Sequence, residues 1–459
     1  MTKTWTVLRD RNARLFLTGV IVSGFGTSAL WLVSGVWVKD LTGSNGLAAL
    51  CLLAMWAPTL AGPLLGTLAD RVRRKPLLIG GSLLLAALLP ALLAVDTPGR
   101  VWLLLTVLLV YGATGVVHDA AESALVAGAV PPSLLGDFNG LRLAITEGMK
   151  LVAPPAGAGL YGLYGGPAVA LLDATTFALA ALLYTGLRVR ENRPDALVSA
   201  TADGGSADEP SGRPASAAGP PGRVRAAVTG RRLFRRAATR AAKAPGGTPT
   251  PSRPAPVGTG TRHIWAHPIL RPLVLAGSTT MLCAGVNGAL LYAVIDGLGH
   301  SPAYAGALYA VQGAGSVAVG LVSGPALRRL DERRFAAYGI ALAAVAAGLR
   351  AIPSGPLALV CSAAIGAGLP CVLIAALTAA QRETPDALLG RTVATAQTLV
   401  YAPNVLGLAA GAALVELVDQ RPLSAVLGVA WLATALPLCQ RTASPSRIAD
   451  RSPSDARPA

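Results

Sequence analysis

The sequence predicts an all-α membrane protein whose twelve transmembrane helices form two pseudo-symmetric six-helix bundles. Three observations predict it. Of the 459 residues, 53% are hydrophobic and 14% charged, whereas a soluble domain carries about 25% charge; lipid is therefore the expected solvent. Apolar runs of about 20 residues, enough to cross ~30 Å of hydrocarbon, fall as six, a hydrophilic gap and six. Lysines and arginines gather in alternate connections, as they do in the cytoplasmic loops of membrane proteins.

The N-terminal bundle, 1–187, contains runs at 15–37, 47–69, 77–95, 101–120, 139–163 and 167–187. The first follows a basic start. It is too long for a cleaved signal and lacks a small-residue cleavage site, so it reads as a span. The stretch 188–262 is rich in Pro, Gly, Ser, Ala and Arg, a composition that buries too little apolar surface to fold alone. It reads as a disordered basic cytoplasmic linker. Residues 223–244 within it are either a helix lying on anionic lipid or plain solvated linker. The C-terminal bundle, 263–440, holds runs at 272–295, 303–327, 335–353, 355–380, 392–415 and 422–439, and 441–459 forms a disordered cytoplasmic tail.

With the N-terminus inside, the inner segments carry Lys3, Arg9, Arg11 and Arg14, then Arg71, Arg73, Arg74 and Lys75, the whole linker, Arg328, Arg329, Arg333 and Arg334, and Arg382 and Arg391. The outer segments hold only Lys39, Arg100, Arg350 and Arg421. This split predicts a multi-pass protein of the cytoplasmic membrane with both termini cytoplasmic. The net charge of +16 is then topology, and nucleic acid is not an expected partner. The five cysteines show no paired spacing and lie in or at the ends of apolar runs, so they read as small buried hydrophobes, with no disulfide and no metal site.

The halves repeat each other. A shift of 254 residues carries Pro131 onto Pro385, Leu134 onto Leu388, Leu135 onto Leu389 and Gly136 onto Gly390, and then Gly157 onto Gly411. Parallel six-helix repeats imply a pseudo-two-fold axis along the membrane normal and a cleft that opens to alternate sides.

Residues 66–75, GTLADRVRRK, fall in the inner loop between the second and third runs. They resemble the signature loop of the major facilitator superfamily, departing from it at Arg73, where the family carries glycine. The resemblance implies the major facilitator fold and a conformational latch made by Gly66, Asp70, Arg71 and Arg74. The alternative for the basic residues is that they only fix orientation. Residues 119–141, 154–183 and 381–391 resemble the drug:proton antiporters that include macrolide exporters and the enterobactin exporter. Tyr111-Gly112 departs from many of these relatives, which carry an arginine there. The resemblance implies proton-coupled export of a small hydrophobic or amphipathic compound such as an antibiotic, drug or siderophore.

Charges inside a span cost on the order of 2.5–3.5 kcal/mol at mid-helix and face a cavity or a partner. The fifth run holds Arg142, Glu147 and Lys150. At ~1.5 Å per residue from Asn139, Glu147 lies about 12 Å deep and Lys150 about 16 Å. Three residues apart, they share a helix face and can pair. They are either a proton or substrate site or a structural ion pair. Asp173 in the sixth run and Asp119 and Glu122 at the end of the fourth are further pathway candidates, with helix bonding as the alternative. Pro154, Pro155, Gly157 and Gly159 form either a hinge or a tight packing patch. Asn287, Gln312, Gln397 and Asn404 line a path or glue helices. Trp31 and Trp56 are expected in the cavity, and Trp37, Trp102 and Trp265 at the interfaces.

No phosphate-binding GxxxxGK[ST] loop, zinc-protease HExxH or GxSxG elbow occurs. The expectation is a monomeric transporter, not an enzyme, without cofactors, working with lipid, a small-molecule substrate and protons. An importer of the same fold, or a transport-inactive sensor or scaffold acting through the linker, are the alternatives.

Overall fold

The computed structural model describes residues 7–62, 64–65, 72–129, 135–188, 259–385 and 388–439. The bulk of the linker, the tail, and Gly66, Asp70 and Arg71 of the first loop lie outside these residues.

The first half runs α1 (Arg11–Thr42), α2 (Asn45–Trp56, continued as a 3-10 turn Ala57–Ala61), α3 (Arg74–Leu88, continued as Leu89–Ala94) and α4 (Val101–Ala129). A single helical run, Leu135–Thr185, then contains the non-helical Gly165 (φ 76°, ψ −179°), which divides it into α5 (135–164) and α6 (166–185). The second half runs α7 (Leu270–Ala289 with a tip Leu291–Gly297), α8 (Ala305–Arg329), α9 (Glu332–Leu349), α10 (Gly355–Glu383), α11 (Leu389–Leu417) and α12 (Gln420–Ala433, continued as Leu436–Cys439). A short helix, Thr259–Ala266, precedes α7 and starts inside the stretch assigned to the linker.

Among the described residues, eight helices are long and apolar enough to cross a bilayer, and a ninth is when α7 and its tip, bent by 45°, are taken as one span. The remaining three expected spans differ for local reasons. Gly165 joins α5 and α6 into one long run. The described part of α2 ends before the residues of the first loop. α9 opens on Glu332, Arg333 and Arg334, which put its first turn at the water boundary.

Helix ends follow ordinary capping chemistry. Asp10 accepts from the Ala13 N–H at 2.8 Å to start α1, Ser44 from Leu47 at 3.0 Å to start α2, and Asp331 from Arg334 at 2.8 Å to start α9. Gly43, at φ 71°, ends α1 in the left-handed conformation that glycine adopts without a Cβ clash.

Lipid tails are as apolar as leucine, so close packing holds the helices together. A Cβ on Gly112 of α4 would lie 2.1 Å from the Met55 carbonyl of α2. A Cβ on Gly366 of α10 would lie 1.9 Å from the Gln312 carbonyl of α8. These two glycines are again 254 residues apart. Likewise Gly157 of α5 abuts Ala29 of α1, and its repeat partner Gly411 of α11 abuts Ala289 of α7. The same contact recurs in both halves, so the repeat in sequence is a repeat in packing. Leu30, Leu85, Leu104 and Leu108 fill the core of the first half, and Ile340, Val372 and Trp431 that of the second. Trp102, Leu163, Leu182, Leu321, Val360 and Val429 stand exposed, an apolar outer surface suited to lipid.

The helices alternate in direction. One end of the bundle therefore carries Arg11, Arg74, Arg328, Arg329, Arg333 and Arg382, and is called here the basic end. The opposite end carries Thr42, Asn45, Asp296, Glu416 and Gln420 and is called the far end.

Candidate functional site

The seam between the halves is tied at the far end. The last turn of α1 places Lys39, only 9% exposed, with its Nζ 2.5 Å from Asp296 Oδ2 on the tip of α7 and 2.7 Å from the Gly43 carbonyl. Asn45 donates to the same carboxylate oxygen at 3.0 Å. Glu416, at the end of α11, accepts from Ser44 Oγ at 2.7 Å and from the Gly46 N–H at 2.6 Å. It thus sits at the N-terminus of α2, where free backbone donors and the helix dipole favour an anion. Beside these ties lies an open cleft of about 620 Å³, bounded by Asn45, Asp296, Glu416, Gln420 and Arg421.

Toward the middle of the bundle the seam is apolar. Leu32, Val36 and Ala48 of the first half pack with Leu291, Ile295 and Leu308 of the second. Tyr292 donates to the Leu32 carbonyl at 3.2 Å and lies against Gly35, where any Cβ would collide with its ring. Trp31 meets Tyr309 edge-on at 4.6 Å between ring centroids.

Nearer the basic end the charged candidates of α5 appear. Lys150 Nζ lies 2.7 Å from Glu147 Oε1, with the side chains 57% and 34% exposed. Glu147 lies within electrostatic reach of Tyr401 of α11, in the other half. Arg142 does not join this pair. It reaches Glu122 of α4 at 3.5 Å, and Glu122 also lies 3.3 Å from the Tyr184 hydroxyl of α6. Asp119, one turn earlier on α4, feels the charge of Arg142.

Asp173 of α6 is fully buried. Its Oδ2 is 3.0 Å from the Tyr111 hydroxyl, which also lies 2.7 Å from Thr27 Oγ1, and Thr176 Oγ1 is 3.1 Å from its Oδ1. Gly26 of α1 makes room for it: a Cβ there would be 2.2 Å from Asp173 Oδ1. Among the described residues no cation pairs with this carboxyl.

α5 stays helical through Pro154 and Pro155, and the non-helical residue comes at Gly165 instead. Pro155 and Ala158 face Gly306 of α8, Gly157 faces Ala29, and Gly159 faces open space. Of the expected latch, Arg74 opens α3 on an exposed turn, while Gly66, Asp70 and Arg71 lie outside the described residues. Among the described residues, no group of His, Cys, Asp and Glu is arranged to hold a metal ion.

One expectation is corrected. Trp37 is 4% exposed and stacks over Gly166 at the start of α6, so it is a core residue and not an interfacial anchor. Lys39 and Arg350, counted as cations of outer connections, stand at the far ends of α1 and α9, and both are buried. Arg350 is 4% exposed and donates to Asn287 at 3.2 Å and Ser362 at 2.6 Å inside the second half. Sequence reasoning missed Lys39, Asp296 and Glu416 as a constellation. The available signal was that Lys39, Asp296 and Glu416 each stand at the same end of a span.

The chain matches the family model described as Major Facilitator Superfamily over residues 16–408, with a further match over 273–455. No curated protein matches it. Among solved structures it is similar to a mutant peptide transporter POT, with TM-score 0.63, 16% identity and 93% of each chain covered. It is similar to a mutant nucleoside transporter NupG, with TM-score 0.62, 12% identity, and 93% of this chain and 99% of that one covered. It is also similar to a bacterial homologue of the iron transporter ferroportin in an inward-facing state, with TM-score 0.59, 15% identity, and 93% and 97% covered. At these identities the structural likeness speaks to the fold alone.

Proposed function

The chain belongs to the major facilitator superfamily, and on that premise we propose that it is a secondary active transporter that exports a small hydrophobic or amphipathic compound in exchange for protons. An antibiotic, a drug or a siderophore fits that class. The protein works as a monomer in the cytoplasmic membrane, with the basic end and both termini on the cytoplasmic side.

One observation carries the reading. The halves are bound together at the far end by Lys39–Asp296 and by Glu416 on the start of α2, while Glu147 and Lys150 remain accessible nearer the basic end. This asymmetry supports reading the protein as an alternating-access transporter closed at the far end. In this state Glu147, paired with Lys150, faces the cytoplasmic side and substrate loads beside it. When the far end opens, substrate leaves outward and Glu147 accepts a proton from the outside, which releases Lys150. The return step delivers that proton to the cytoplasm. One proton moves in as one substrate moves out.

Inside-out vesicles carrying an imposed proton gradient, screened with toxic compounds, test this. Wild type should accumulate a compound, and an uncoupler should abolish the accumulation. Glu147→Gln should lose coupled accumulation by roughly tenfold or more while keeping its thermal stability. Accumulation by Glu147→Gln at the wild-type rate sinks the proton role, and accumulation only in right-side-out vesicles reverses the direction.

A further inference from the structure

On the outside of the second half, near the basic end, α7 and α12 leave a groove of about 230 Å³. Leu275, Ala276 and Thr279 form one wall, and Thr434 and Pro437 the other, with Arg271 at the mouth. The rest of this surface is apolar and open: Leu275 is 39% exposed, Leu282, two turns further along α7, 38%, and Leu436 of α12 63%. Such a surface on two spanning helices faces lipid tails.

The mouth is polar and positioned. Arg271 lies over the Trp265 ring, 5.5 Å from its centroid, and Trp265 is 45% exposed. The turn between them is fixed from the neighbouring helices. Arg333 of α9 donates to the Pro268 carbonyl at 2.6 Å, and His267 approaches Glu383 of α10 at 3.6 Å. Arg262 stands exposed one turn before Trp265 on the short helix Thr259–Ala266, so both arginines share that surface. Among the described residues no carboxylate pairs with Arg271.

Tryptophan and arginine at the end of a span mark head-group depth. Eight residues separate Arg271 from Thr279, about 12 Å along the helix, which is the upper part of an acyl chain. We propose that this groove binds one phospholipid with a net-negative head group. Its phosphate sits on Arg271 and one acyl chain lies between α7 and α12. Two exposed guanidiniums, neither in an ion pair among the described residues, favour a net-negative head group over a zwitterionic one, since each basic side chain near an anionic surface contributes about 1 kcal/mol.

Native mass spectrometry of the full-length protein, delipidated in detergent and then given phosphatidylglycerol and phosphatidylcholine of identical acyl chains, tests the site. Wild type should retain the anionic lipid about fivefold better. Arg271→Gln should erase that preference and Arg271→Lys should keep it. Thr279→Trp fills the groove without changing charge and should lower retention of both lipids. Arg100→Gln, at the far end, should behave as wild type. The proposal is overturned if Arg271→Gln and Thr279→Trp both retain wild-type preference and occupancy. It is equally overturned if inorganic phosphate alone displaces the anionic lipid, since the acyl chain would then contribute nothing.

Discussion

Gly26 leaves room for Asp173 and for little else. A methyl group at residue 26 would fall 2.2 Å from the carboxylate and 2.3 Å from the Thr176 hydroxyl, and Tyr111 holds the carboxylate from the other side. Gly26→Ala should therefore cost about 1–3 kcal/mol, the usual penalty of overpacking, read as a lower unfolding temperature in detergent. Adding Asp173→Ala should recover part of that loss, because the clash and the carboxylate vanish together. Additive losses would mean that the two residues do not meet. At this scale the sequence was only partly legible. Glu147 and Lys150 could be paired from spacing alone, since a helix brings residues three apart onto one face. Lys39 could not be placed, because its partner is 257 residues away. A tally of lysines and arginines by connection sees position along the chain, not the carboxylate or the amide waiting across a seam. The same tally could not see that Arg350, at the end of α9, is drawn inside by Asn287 and Ser362.

Helices were more legible than side chains, because hydropathy is a local property and a span needs little else. Expected runs at 139–163 and 167–187 leave a gap at Gly165-Gly166, and that is where the long run changes direction. Gly165 holds φ 76° and ψ −179°, a region that side chains with a Cβ avoid. Gly165→Ala should cost about 1–3 kcal/mol, and thermal unfolding of the purified protein checks it; an unchanged midpoint would show that the turn relaxes freely. The bend of α7 had no such mark. Leu290 is flanked by Ala289 and Leu291, with no proline at the break. Its cause is tertiary: the tip is drawn onto α1, where Tyr292 reaches the Leu32 carbonyl and settles over Gly35.

For the whole molecule, the two-half architecture was legible because the repeat leaves the same small residues at the same interval. Its state was not, since open and closed forms share one sequence. If the far-end ties hold the halves together, Lys39→Met should loosen them. Asp296 is 40% exposed although Lys39 is buried, so water screens the pair and its contribution is on the order of 1 kcal/mol, a roughly fivefold shift in population. Spin labels introduced by Thr42→Cys and Arg421→Cys should report a larger long-distance fraction in that background, and an identical distribution would exclude the ion pair from gating. The tip of α7 carries this further. By covalent connection it belongs to the second half, yet Leu291, Tyr292 and Ile295 are packed among residues of the first. Whenever the halves part, seven residues must either tear free of α1 or flex at Leu290 and stay behind. This short piece is bound to both halves, so it is the place where any parting at the far end must first be accommodated.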